Sequence, residues 1–277
     1  MSGPLSEALA DIEADDGWRR VDAFDVRAEL ADRLDLWLVG VDDPAVEARA
    51  QRILDTIARL DDALFARLRD EVRAGRGKVA LAPWRVVDEP RGQHYDAFDA
   101  LLVGVLALED PVSDDPVPPP DMVFYQPTPA RHIVDCVRRA GIGAGDAVLD
   151  LGSGLGHVPM LVNILTGARV TGVEREPAYV AAAMRAADAL GLEGVRFVHA
   201  DAREASFDDV DVVYLFTPFI GRVLAEVVAM LERAAARRPL RIVTLGPCTR
   251  TFARLPWLEA DGTTATDRVA VFRTRGA

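Results

Sequence analysis

The sequence predicts a doubly wound, mostly parallel α/β sheet that ends in an antiparallel C-terminal hairpin and follows a helical N-terminal domain. Three observations predict it. Beyond about residue 125, short apolar runs alternate with segments of helical periodicity. Before residue 110, apolar residues recur only at helical spacing. Between the two lies a Pro-rich acidic stretch. The chain has 277 residues, 50% apolar, 27% charged and 6% aromatic, a balance that suits a sizeable core and excludes collagen-like, disordered and disulfide-scaffold classes. Single cores stop growing near ~250–300 residues, so two domains are expected, 1–109 and 125–277, joined by a linker at 110–124.

In the N-terminal part, Asp43 is placed to cap a helix with Pro44 at its first position. From there Val46, Ala50, Ile53, Ile57, Leu60, Leu64, Leu68 and Val72 recur at steps of three and four up to Gly75, which describes one long amphipathic helix. Shorter helices are expected at 5–15, 26–38 and 95–108, with an irregular stretch at Pro83-Trp84. In the linker, Pro111, Pro116 and Pro118-Pro119-Pro120 remove backbone donors and disfavour helix before them, so an extended connector is expected.

Downstream, a helix follows Thr128. Strands are then expected at 147–151, 169–173, 195–199, 210–216 and 241–245, with helices at 157–165, 177–190 and 220–237. Helical connections between strands imply right-handed crossovers and parallel pairing. A closing pair at 255–259 and 268–274 has no helical pattern between its members, so it is expected as an antiparallel hairpin at one edge of a sheet of six or seven strands.

Thirty-two Lys and Arg against 44 Asp and Glu give a formal charge of −12. Residues 1–120 hold 14 basic and 26 acidic residues and the rest is balanced, so the whole excess lies in the N-terminal part. That charge opposes a phosphate backbone, and no nucleic acid partner is expected. Cys136 and Cys248 form no ligand-like spacing, so neither metal site nor disulfide framework is expected. The first residues carry no basic-then-apolar leader and no run reaches a membrane-spanning length, so a cytoplasmic protein without membrane contact is expected. Oligomeric state is not readable.

The chemistry concentrates at Val148-Leu149-Asp150-Leu151-Gly152-Ser153-Gly154-Leu155-Gly156-His157, where a buried strand runs into a Gly-rich turn and then an apolar helix. In that arrangement backbone can approach a nucleotide-like ligand closely. Glu174 ends the second strand, 22 residues after Gly152, where a carboxylate can accept hydrogen bonds from both ribose hydroxyls. Asp201 follows the third strand, placed to take an exocyclic amine. A nicotinamide-dependent oxidoreductase is the competing reading, but its G-x-G-x-x-G turn needs glycine at 157, which is His157 here.

These residues resemble the class I S-adenosylmethionine-dependent methyltransferases over roughly residues 125–277. The resemblance implies a Rossmann-like sheet with an antiparallel last strand and S-adenosyl-L-methionine as cofactor. It also implies a cofactor site of Asp150, Gly152, Ser153, Gly154, Gly156, Glu174, Asp201 and Ala202. A further likeness joins Tyr125-Gln126-Pro127-Thr128-Pro129 and the D-L-G-S-G-x-G turn to the non-SET histone-lysine methyltransferases. It implies cofactor contact by Tyr125 and Thr128, although Phe216-Thr217-Pro218-Phe219 departs from that family's Asn-rich fourth-strand exit.

The resemblance implies a methyltransferase whose acceptor is expected to be a small molecule. A protein (lysine-type) acceptor and a non-catalytic cofactor-binding partner or sensor are the alternatives. Thr217, at the fourth-strand exit, is the candidate to orient an acceptor and touch the cofactor, or else to cap a helix ahead of Pro218; no dedicated catalytic base is evident. His157 could meet the cofactor carboxylate or make a helix-end hydrogen bond. His132 is expected to be a surface or packed residue rather than a base. Gly246-Pro247-Cys248-Thr249 reads as a turn that could line an acceptor pocket, Arg203 and Glu204 as a solvated pair, and His94-Tyr95-Asp96 as a helix start that could serve as a lid.

Overall fold

The computed structural model describes residues 4–85, 89–108, 111 and 121–275. The expected connector therefore lies largely outside the described residues, at 110 and 112–120.

Helices α1 (Pro4–Ala14), α2 (Phe24–Leu38) and α3 (Pro44–Arg73) open the chain. Asp43 caps α3 by accepting from the amides of Ala45 and Val46, with Pro44 in the first turn where its missing N–H costs nothing. The apolar stripe of α3 meets two cores in succession. Ala50, Ile53 and Ile57 pack with Leu9, Ile12, Trp18, Leu30 and Leu34, whereas Leu64, Leu68 and Val72 enter the large core that also holds Ile133, Met160 and Tyr214. The C-terminal half of α3 thus shares its core with the sheet region. After the single turn α4 (Gly77–Ala80), α5 (Ala97–Leu106) begins with a capping box at Asp96 and Asp99. Asp99 also accepts from the Ala130 amide at 2.6 Å, which fixes the start of α6 (Ala130–Ala140) against α5.

The sheet comprises β1 (Ala147–Leu151), β2 (Arg169–Glu174), β3 (Val195–His199), β4 (Val212–Leu215), β5 (Arg241–Thr244), β6 (Leu258–Ala260) and β7 (Ala270–Thr274). Its helices are α7 (His157–Thr166), α8 (Pro177–Ala189), α9 (Gly221–Ala235) and the short α10 (Thr249–Phe252). The strand order is β3-β2-β1-β4-β5-β7-β6, with the first five parallel and β7 antiparallel to both β5 and β6. This is the seven-stranded Rossmann-like architecture expected, with β7 inserted between β5 and β6. β4 is shorter than the expected 210–216; at its C-terminal end Thr217, at φ +40°, turns the chain out of the sheet. α10 is too short to leave a periodic signal. The strand order reverses between β1 and β4, so a crevice opens at their C-terminal ends, the usual ligand position of such sheets. No helix among the described residues is long and apolar enough to cross a membrane.

Candidate functional site

The turn after β1 is held by β2: the amides of Gly152 and Ser153 both donate to the Val173 carbonyl, at 2.8 and 3.1 Å. Gly154 sits at φ +52°, and a Cβ there would lie 1.9 Å from Cε2 of Tyr125. Only glycine fits, for conformational and for steric reasons. Glu174 closes the arrangement. Its Oε2 accepts from the Gly154 amide at 2.9 Å, and its Oε1 accepts from the amides of Arg175 and Glu176 at 2.7 and 2.8 Å. A carboxylate at the end of β2 thereby fixes the turn that leaves β1.

Asp150 lies one residue before the end of β1 and is 3% exposed. No hydrogen bond among the described residues reaches its carboxyl. Burial, with the neighbouring Glu174 charge second, pushes its pKa well above the carboxylate range. The Ser153 hydroxyl is buried without a hydrogen-bond partner among the described residues. His157, the first residue of α7, is held by burial at a pKa of about 4, so it is a neutral imidazole at ordinary pH. Its Nδ1 is 3.2 Å from the Tyr125 hydroxyl, which also accepts from the Leu155 amide at 3.4 Å. The Tyr125 ring packs on Tyr179 at 5.0 Å between centroids, and burial pushes its hydroxyl pKa up.

Tyr125 belongs to a strap, residues 121–128, that lies across the end of the sheet. Val123 donates to the Pro218 carbonyl, Ile220 to the Asp121 carbonyl, and Met122 pairs with Phe219 in an antiparallel bridge. Tyr95 donates to the Pro127 carbonyl at 2.9 Å, and Thr128 Oγ1 meets the buried Tyr214 hydroxyl at 3.2 Å.

Under the strap is a cavity of about 460 Å³, within the ordinary range of small-molecule pockets. Of the residues singled out from the sequence, Tyr125, Thr128, Asp150, Gly152, Ser153, Glu174, Ala202, Thr217, His157 and Pro247 line it. Gly154, Gly156 and Asp201 do not. Gly154 is covered by Tyr125, and Gly156 makes close helix–strand packing possible, since a Cβ there would come 2.5 Å from Phe197. The Asp201 carboxylate is engaged in a bidentate pair with Arg203, at 2.8 and 2.9 Å, which holds its pKa below the usual range. Arg203 pairs further with Glu226 rather than with Glu204.

Thr217 is 7% exposed, and its hydroxyl donates to the Leu245 carbonyl at 2.9 Å while accepting from the Cys248 amide at 3.1 Å. It ties the exits of β4 and β5 together. It does not cap α9, whose N-cap is Ile220, and its hydroxyl is committed to backbone rather than turned to an acceptor. His132 is fully buried, with Nε2 2.6 Å from the Gly92 carbonyl, which also accepts from Arg131. This contact fastens residues 89–96, so that Gln93 reaches the cavity while Asp96 caps α5. Sequence reasoning missed Gln93 and Tyr179, whereas Tyr214, Phe216 and Phe219 belong to the fourth-strand exit that it singled out with Thr217. Gln93 lies on a loop and Tyr179 at a helix start, and their approach depends on tertiary contacts that leave no periodic trace.

A family model described as a methyltransferase domain matches residues 148–237. No curated protein sequence matches the chain. Among solved structures, the chain is similar to an RNA methyltransferase from Salinibacter ruber in complex with S-adenosyl-L-homocysteine. The identity is 25% over 54% of this chain and 92% of that one, with a TM-score of 0.44. It is similar to TrmN from Thermus thermophilus at 23% identity over 53% of this chain and 49% of that one, TM-score 0.43. It is also similar to a geranyl diphosphate C-methyltransferase from Streptomyces coelicolor A3(2), at 21% identity over 42% and 43%, TM-score 0.37. The chain spans about half or less of the length of the latter two.

Proposed function

Taking as premise that the chain is an enzyme of the class I S-adenosylmethionine-dependent methyltransferase family, we propose that the cavity under the strap holds the cofactor and presents its methyl group to a small-molecule acceptor. One observation carries this reading. Two carboxylates, Asp150 and Glu174, stand at the C-terminal ends of the adjacent parallel strands β1 and β2, beside a turn that only glycine can make, and open into one cavity at the switch point of the sheet.

The residues present fit the cofactor. Glu174 is anchored by three amides and keeps lone pairs for ribose hydroxyls. Asp150 and the unpartnered Ser153 hydroxyl suit the ammonium and carboxylate of an amino acid: a cation beside Asp150 would bring its raised pKa back down. Ala200 and Ala202 give an apolar surface for a base, with the Asp201–Arg203 pair beside it. The cofactor supplies a sulfonium methyl, an electrophile that needs no activating base when the acceptor is already a nucleophile. The chain's own part is to align the acceptor and exclude water, and the strap, pinned at Val123, Ile220 and Tyr95, provides that cover.

A small molecule is favoured over nucleic acid by the acidic excess of residues 1–120 and, among the described residues, by a cavity lined by Asp150, Glu174 and Glu176 against one cation, Arg175. The test is incubation of the chain with methyl-labelled cofactor and a cell extract separated into small-molecule, RNA and protein fractions. Label in the small-molecule fraction is expected. Label confined to RNA or to protein would overturn the acceptor class.

A further inference from the structure

The cavity ends in a mouth of different chemistry from its floor. The strap exposes Val123 at 44% and Phe124 at 70%, and the segment after β4 that is hydrogen-bonded beside it exposes Ile220 at 48%. Hydrogen bonds from Val123 to Pro218 and from Ile220 to Asp121 hold the two segments together as one ribbon. These side chains therefore stand on braced backbone beside the opening rather than on a free loop. Met122, Phe216 and Phe219 continue the apolar surface inward. Exposing three large apolar side chains at one opening is unfavourable unless something covers them. The charged groups that line the cavity, Asp150, Glu174, Arg175 and Glu176, belong to the ends of β1 and β2 and the start of α8. With S-adenosylmethionine on these charged groups, the apolar mouth is the part of the cavity left to grip the acceptor.

We propose that the methyl acceptor is a neutral, largely apolar small molecule that lies on Phe124, Val123 and Ile220 while its nucleophilic atom points inward. This rests on the reading of the cavity as the cofactor site. Among the described residues that line the cavity, one cation, Arg175, stands against Asp150, Glu174 and Glu176, a balance that disfavours a phosphate or carboxylate. Selection is therefore by apolar fit.

The test titrates the full chain with N-phenyl-1-naphthylamine, a neutral fluorescent probe, and with its anionic relative 1-anilinonaphthalene-8-sulfonate, in the presence and absence of S-adenosylhomocysteine. Saturable binding of the neutral probe is expected, tighter than that of the anionic one. Phe124→Ser and Ile220→Ser should each weaken it about tenfold, the loss expected for one apolar side chain. Leu36→Ser, a control at an exposed apolar residue of α2, should leave it unchanged. Unchanged affinity in both mouth variants, equal or tighter binding of the anionic probe, or dissociation of a dimer by Phe124→Ser would overturn the proposal. Calorimetry with S-adenosylhomocysteine on the same samples separates the two readings. Homocysteine-adduct binding without probe binding contradicts this inference, and probe binding without it contradicts the cofactor reading.

Discussion

The floor of the cavity and its mouth are built by opposite means. The floor comes from consecutive sheet elements: the β1 turn, Asp150 and Glu174 are brought together by parallel register, and backbone amides satisfy the acid that spans them. The mouth is assembled from the strap, the β4 exit and the 89–96 segment, far apart in sequence and joined by a few hydrogen bonds. The floor is polar and determined by the fold. The mouth is apolar and determined by loops, which can change in sequence without disturbing the sheet. On the proposed reading, cofactor chemistry resides in the fold and acceptor choice in what is laid over it.

Gly154→Val is the harshest way to break the floor. The side chain would have to displace the Tyr125 ring and adopt a left-handed backbone, so S-adenosylhomocysteine affinity should fall more than about a hundredfold, about 3 kcal/mol, by calorimetry. His157→Gln tests the joint between floor and mouth. Because the folded pKa of about 4 lies below the ordinary 6.5, His157 contributes stability that is complete above pH 6.5 and is lost as pH falls to about 4, by about 3 kcal/mol. Thermal melts between those pH values should show the wild type weakening while the variant holds.

Asp150→Asn separates stability from binding. A carboxyl with a raised folded pKa destabilises the fold as pH climbs above ~3.9, so the variant should melt higher than wild type at pH 7, match it near pH 4, and bind cofactor about tenfold more weakly. The smallest effect is expected in the brace of the mouth. Arg131→Met removes one of two donors to the Gly92 carbonyl, which should cost about 1 kcal/mol and speed proteolytic cleavage near Arg91 without altering cofactor affinity.

The same division explains what was legible in the sequence. Strands, crossovers and the closing hairpin follow from periodicity, and Asp150, Glu174 and the glycines follow from their place at strand ends. The long α3 was readable as a helix, but not that its stripe serves two cores, because Leu64 and Ile53 look alike in one dimension. Asp201 was readable as an acid after β3, yet its partner is Arg203, two residues on, a choice made by side-chain geometry. Thr217 was singled out for its hydroxyl, whereas the structure uses that hydroxyl to join two strand exits. Gln93 and Phe124 carried no signal, since loop residues reach a site only through the contacts that fold them there.

If the polar floor binds S-adenosylmethionine, calorimetry of the intact chain with S-adenosylhomocysteine, run beside NAD, detects it without reference to any acceptor. One-site binding of the homocysteine adduct, lost in Gly154→Val and weakened in Glu174→Ala, with no heat from NAD, is the predicted result. Absence of binding by the intact chain, or affinity undiminished in both variants, would contradict it.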